Sequence, residues 1–180
     1  MAGRTPRIGN LPAEATSFIG RRRELAELRA KLTAGRMVSL VGPGGVGKSR
    51  LAVRAATNLG RGFKDGAWLV ELAEVRDPAL VSNAVMVALD LRDQAATEPL
   101  TLLLSYLKDK SLLLVVDHCE HLLGAAAHLV SEVSRVAPDV RVIPTTREPL
   151  SGSCEHVSPG PPLEPPASHA PAPANPQPQK

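Results

Sequence analysis

Between residues 18 and 150 two kinds of apolar pattern alternate. Leu25, Leu28 and Leu32 recur three or four apart, with Glu27 four before Lys31, which predicts a helix over 21–32. Residues 37–41 are a short buried strand, and 49–59 a helix closed by Gly60. Residues 67–71 read as a strand with Trp68 and Val70 on one face. A helix over 78–89 begins with proline in its first turn and stacks Val81, Val85 and Ala88. Thr97 is the expected cap of a helix with Leu100, Leu103, Leu104 and Leu107 inward. Residues 112–116 are an unbroken apolar run ending in Asp117. A helix over 121–137 aligns Leu123, Ala126, Val130 and Val133, and a strand over 140–145 follows. Continuous apolar strands separated by helices call for a parallel sheet covered on both faces.

Outside that region the pattern fades. Residues 1–17 are polar and irregular, and 151–180 hold nine of the 17 prolines. A run such as PPASHAPAPANPQPQK cannot bury enough surface to offset its ordering entropy, so 151–180 is expected to be a disordered tail. The organisation expected is an N-terminal segment, 1–17, one α/β domain, 18–150, and that tail. Phe18, Phe63, Trp68 and Tyr106 are all the aromatics, which argues against base-stacking nucleic-acid modules. A net charge of +3, with Arg and Lys crowded into the first fifty residues, suits an anionic ligand without demanding DNA. Cys119 and Cys154 make no disulfide framework, which suggests a reducing cytosol. No apolar run approaches the ~20 residues of a membrane helix, and the N-terminus lacks a secretory apolar segment.

The stretch MVSLVGPGGVGKSR breaks an apolar strand with four glycines and a proline, then meets Lys48. Gly42, Pro43, Gly44, Gly45, Val46, Gly47, Lys48 and Ser49 fit G-x-x-x-x-G-K-[ST], the P-loop or Walker A motif, with a strand before and a helix after. Wrapping phosphate oxygens in backbone N–H groups needs positive φ angles and close approach, which glycine permits. The helix beginning near Lys48 aims its positive end at the same anion. Lys48 is then the ligand of the β- and γ-phosphates, Ser49 a ligand of Mg²⁺, and Arg50 flanks the site. Asp117, delivered rigidly by its buried strand, is the second Mg²⁺ ligand, as in a Walker B motif.

The runs LPAEATSFIGRRRELAEL, VSLVGPGGVGKSRLAVRAA, DGAWLVELAEVRDPALV, LLLVVDHCEHLL and TTREPL, in that order, resemble the ATPase domain of large actinobacterial transcriptional regulators. These are STAND-class P-loop proteins, similar to AfsR and LuxR-type regulators and to the NB-ARC domains of plant resistance proteins. The resemblance covers residues 10–150. It implies a three-layer α/β fold of the ASCE type, with a mostly parallel sheet of four to five strands, and ATP or ADP with Mg²⁺ as ligands. Phe18, Ile19, Gly20 and Arg21, with Glu24, match the segment that lies against the adenine in the family. Thr145, Thr146 and Arg147 match the sensor-1 motif, whose arginine faces the γ-phosphate, a task suited to a planar, always-charged donor fork. ADP holds a closed form in the family and ATP an open, assembling one, hydrolysis being a slow timer.

The pattern departs from the family in four places. His118 stands where an Asn or acid follows the Walker B aspartate, and Glu120 is the nearest other carboxylate, so Lys48, Asp117, Arg147 and Glu120 form the implied catalytic set. Pro144 lies inside the sensor-1 strand, where it removes a ladder donor and is expected to distort the approach of Arg147. After Arg147 only 155–157 and 162–163 resemble the next element, so the sheet is expected to lack a good fifth strand. No winged helix, sensor-2 arm, repeats or helix-turn-helix follows, and the tail reads as a truncated or frame-shifted end, with the P-x-x-P of 162–165 as the alternative.

Two readings of function stand. One is a nucleotide-switch module of a transcriptional regulator, with slow hydrolysis, partners among regulators or copies of itself, and no specific DNA binding of its own. The other is a non-catalytic interaction fragment that binds nucleotide weakly or never. The cluster from His118 to His121 suits no common zinc spacing, and Cys119 has nothing nearby to lower its pKa.

Overall fold

Each short apolar run becomes a strand of one parallel sheet. The computed structural model describes residues 8–13, 21–92, 97–150 and 155–159. In chain order the elements are α1 (Arg22–Ala34), β1 (Met37–Val41), α2 (Lys48–Leu59), β2 (Ala67–Glu71), α3 (Val81–Ala88), α4 (Pro99–Leu107), β3 (Leu113–Asp117), α5 (Leu123–Val136), β4 (Arg141–Thr146) and β5 (Glu155–Pro159). Short 3₁₀ turns, Pro78–Leu80 and Cys119–His121, precede α3 and α5 where single longer helices were expected. The strand order is β2-β3-β4-β1-β5 and every pairing is parallel.

The strand alternation sends side chains into two apolar layers. On one face Val38, Leu40, Ala67, Leu113, Val115 and Ile143 pack against Leu28 and Leu32 of α1 and Leu51, Ala52, Ala55 and Ala56 of α2. On the other, Met37, Val70, Leu114, Val116 and Val142 pack against α3, α4 and α5 through residues such as Val85, Leu103 and Val130. The core is aliphatic, as the scarcity of aromatics requires.

The fifth strand is a correction to the sequence reading. β5 pairs with β1 along its length, Met37 with Glu155 through Val41 with Pro159, although these residues fall in the stretch assigned to the tail. Its sequence, EHVSP, has no apolar run, because an edge strand need not be buried on both faces. Lys31 Nζ of α1 donates to the carbonyl of Val157 at 3.1 Å, a contact between residues 126 apart that no local pattern reports.

Pro144 does not break its strand, although β4 is the central one. The register with β3 runs through it, Val116 opposite Pro144. What is lost lies on the β1 side. Val142 N–H points that way, to the carbonyl of Arg36, so the Pro144 nitrogen two residues on does too. The β1–β4 pairing accordingly holds at Met37–Val142, Leu40–Thr145 and Val41–Thr146 and skips Val38 and Ser39. β4 stays paired with β3 from Arg141 to Pro144 and with β1 on either side of the gap, and Arg147 follows its C-terminal end.

The expected cap at Thr97 is one residue off. Glu98 caps α4, accepting from Thr101 N–H at 2.8 Å, with Pro99 in the first turn. The opposite sheet edge is closed by residues 8–10. Ala67 N–H donates to the carbonyl of Ile8 at 3.2 Å, and the Asn10 side-chain amide accepts from Leu69 N–H at 2.6 Å and donates to Leu69 O at 2.9 Å, as a neighbouring strand would.

Candidate functional site

The strands β1, β3 and β4 end together at one lip of the sheet, and the loop between β1 and α2 crosses it. Gly45 and Gly47 have φ of 81° and 80°, the left-handed region that explains glycine at these positions. A side chain on Gly45 would meet nothing within 4 Å. Gly42 N–H is tied to the carbonyl of Thr146 at 3.2 Å, which fixes the start of the loop to the end of β4. Val46 is buried and anchors the loop's middle, while Pro43, Gly44 and Gly45 are exposed. Lys48 opens α2 and folds back, its Nζ donating to the carbonyls of Gly42 and Pro43 at 2.8 Å each. The ammonium thus lies against the start of the loop, and Arg50 is exposed on the first turn of α2.

Asp117, at the end of β3, is 4% exposed. Its Oδ1 accepts from Ser49 Oγ at 2.8 Å and also from Thr145 Oγ1. Thr145 Oγ1 in turn accepts from His118 N–H at 3.1 Å. His118 has φ of 62°, unusual for a non-glycine residue, and brings Nδ1 to 3.0 Å from Asp117 Oδ2, a contact without hydrogen-bond alignment. A hydroxyl and a carboxylate within 3 Å of each other, at the first turn of a helix, are hard oxygen donors of the kind Mg²⁺ takes. The residues present therefore fit that ion.

Two arginines reach the loop from either side. Arg147 stands over Gly44, where an added Cβ would lie 3.4 Å from Arg147 Nη2, and its Nε is 3.9 Å from Glu120 Oε1. The expected distortion at Pro144 thus does not carry this arginine away from the loop. Arg21, just before α1, donates from Nη2 to the carbonyl of Val46 at 2.7 Å, and its Nη1 is buried with no partner among the described residues. Phe18, Ile19 and Gly20 lie outside the described residues. Cys119 is fully buried, donates to the carbonyl of Val116 at 3.3 Å, and has its thiol pushed up to about 12 by burial, with Asp117 and Glu120 adding to the rise. No group of three or more His, Cys, Asp or Glu side chains positioned to hold a metal occurs among the described residues.

Sequence reasoning had Thr145 only as part of a motif. Its hydroxyl links the carboxylate of Asp117 to the backbone of His118, a bond visible only once β3 and β4 are neighbours.

The sequence model of the family described as novel STAND NTPase 1 matches residues 11–164. The chain belongs to this family. As a STAND NTPase domain it is 38% identical over 148 residues to the uncharacterized protein Rv0894 of Mycobacterium tuberculosis, covering 82% of this chain and 38% of that one. It is 37% identical over 123 residues to a candidate HTH-type transcriptional regulator of the same organism, Rv0890c, covering 68% of this chain and 14% of that one. The chain therefore spans well under half the length of either relative. In fold it is similar to a STAND protein with a tetratricopeptide repeat sensor from Pyrococcus horikoshii, with a TM-score of 0.61 at 17% identity, over 83% of this chain and 24% of that one. The three-layer P-loop NTPase architecture is thus that of this STAND domain. Among the described residues, no helix is long and apolar enough to cross a membrane.

Proposed function

We propose that this STAND domain is the nucleotide switch of a cytoplasmic transcriptional regulator, binding ATP or ADP with Mg²⁺ and hydrolysing ATP slowly. The observation that carries the proposal is the meeting of the Lys48 ammonium, the glycine loop of Gly42–Gly47 and the Ser49–Asp117 pair at one lip of the sheet. Backbone N–H groups of the loop and the start of α2 receive the polyphosphate. Lys48 exchanges its two carbonyl partners for phosphate oxygens. Ser49 and Asp117 would hold Mg²⁺, which when bound neutralises developing charge on the phosphates. Arg147 leaves Glu120 for the γ-phosphate, so the Arg147–Glu120 contact differs between the ATP and ADP states, and Arg21 braces the loop through Val46. The Rv0890c relative supports the regulator setting, in which DNA contact belongs to segments other than this domain and the switched partners are other regulator domains or further copies of the chain.

The test is the thermal midpoint with and without Mg-ADP and Mg-ATP. At a hundredfold excess over Kd, binding adds roughly 2.7 kcal/mol of stability. The wild type should shift and Lys48→Ala should not. No shift in the wild type favours the interaction-fragment reading instead.

A further inference from the structure

We propose that Glu71 accepts the proton of the water that attacks the γ-phosphate, an inference that rests on the ATP-binding reading above. Glu71 ends β2 and is in register with Asp117, which ends β3. Leu72 N–H donates to the carbonyl of Asp117 at 3.0 Å, so the two strand ends are pinned level at the lip. In-register residues of parallel strands send their side chains to the same face. That face is identified by the residues two and four before: Leu69 and Ala67 of β2, like Val115 and Leu113 of β3, pack with Leu51, Ala52 and Ala55 of α2. Glu71 and Asp117 therefore both rise on the α2 side, where Ser49 meets Asp117. A strand spacing of about 4.8 Å sets the Glu71 carboxylate beside that pair rather than on it.

Asp117 accepts from Ser49 and Thr145. Glu120 lies past the end of β3 with its Oε1 3.9 Å from Arg147 Nε, and is the rival base once Arg147 moves to the γ-phosphate; conversion by Glu71→Gln at the wild-type rate would favour it. The His118 ring lies against Asp117 Oδ2. Glu71 is exposed, and among the described residues its side chain makes no hydrogen bond or ion pair. It is thus a carboxylate at the lip with its lone pairs open to water. In the step, the water oxygen forms a bond to the γ-phosphorus and its proton passes to Glu71. The bond from that phosphorus to the bridging oxygen breaks, and its electron pair leaves on ADP.

The experiment compares wild type, Glu71→Gln, Glu71→Asp and, as a control at an exposed position three residues on, Glu74→Gln. Each is mixed with Mg-ATP. The thermal shift is recorded, and the protein-bound nucleotide is then identified by chromatography after denaturation. The expected result is the same thermal shift in all four, ADP on the wild type and Glu74→Gln, and ATP retained on Glu71→Gln, with conversion slowed roughly 10²- to 10⁴-fold. Glu71→Asp, which keeps the charge on a shorter arm, should fall between. Conversion by Glu71→Gln at the wild-type rate overturns the proposal. So does a wild type that binds ATP and leaves it intact, although nucleotide binding then stands. A wild type without a thermal shift removes the binding reading itself, and this inference with it.

Discussion

Ser49 Oγ, on the first turn of α2, donates to Asp117 Oδ1, at the end of β3, across 2.8 Å and 68 residues of sequence. Both are hard oxygen donors that would hold a divalent ion here. Ser49→Ala removes one of them without enlarging the side chain. It should weaken ATP binding in Mg²⁺ by about 10- to 100-fold, the equivalent of a 1.5–3 kcal/mol contact to a charged group. It should change binding in EDTA much less. Titration calorimetry in the two buffers measures the difference, and equal losses in both would mean that Ser49 acts on the loop and not on the ion.

His118 is held in the left-handed region by the Thr145 hydroxyl and the requirement to turn sharply after β3. That conformation costs an ordinary L-residue about 1–2 kcal/mol, and asparagine tolerates it better. His118→Asn should therefore raise the stability of the nucleotide-free domain by about 0.5–1 kcal/mol, a gain of a few degrees in Tm. An unchanged or lowered Tm would show that the imidazole contact with Asp117 outweighs the backbone strain.

Cys119 lies under the site and its thiol titrates at about 12 rather than 9.0, because burial and two carboxylates disfavour the thiolate. Its contribution to stability is whole below about pH 9 and falls as the pH rises toward 12, since the unfolded chain releases that proton first. At pH 8 the thiolate is on the order of a thousandfold rarer than in a free cysteine, so in a Cys154→Ser background the folded protein should resist alkylation until it is unfolded. Rapid labelling of the native protein, followed by mass spectrometry, would contradict this burial.

Asn10 closes the edge of β2 with two hydrogen bonds to Leu69, and Gly9 lies so close that an added Cβ would stand 1.8 Å from the carbonyl oxygen of Ala67. Asn10→Ala should cost about 1–2 kcal/mol. Gly9→Ala should lift the segment and leave a strand edge unpaired, so light scattering should rise with concentration on mild heating. A Gly9→Ala protein as monodisperse as the wild type would mean that this edge is covered by something else.

Much of this was legible in the sequence because it is local. The loop of Gly42–Gly47 announces its φ angles by its glycines, and the buried strands announce themselves by unbroken apolar runs such as residues 113–116. What stayed hidden is non-local. β5 has no apolar pattern because it is an edge strand clamped by Lys31, and the segment at Gly9 and Asn10 gains meaning only from β2 beside it. Pro144 looked disruptive because the sequence does not say that its missing donor faces only one neighbour, Val38. Glu71 passes for an ordinary strand-end acid until the register sets it level with Asp117.

Everything functional depends on whether the loop before α2 receives a nucleotide's phosphates. Calorimetric titration of Mg-ADP into the wild type and Lys48→Ala measures this directly. One saturable site per chain in the wild type, lost in Lys48→Ala, is the predicted result. No binding heat in the wild type, or the same isotherm in both proteins, would contradict it.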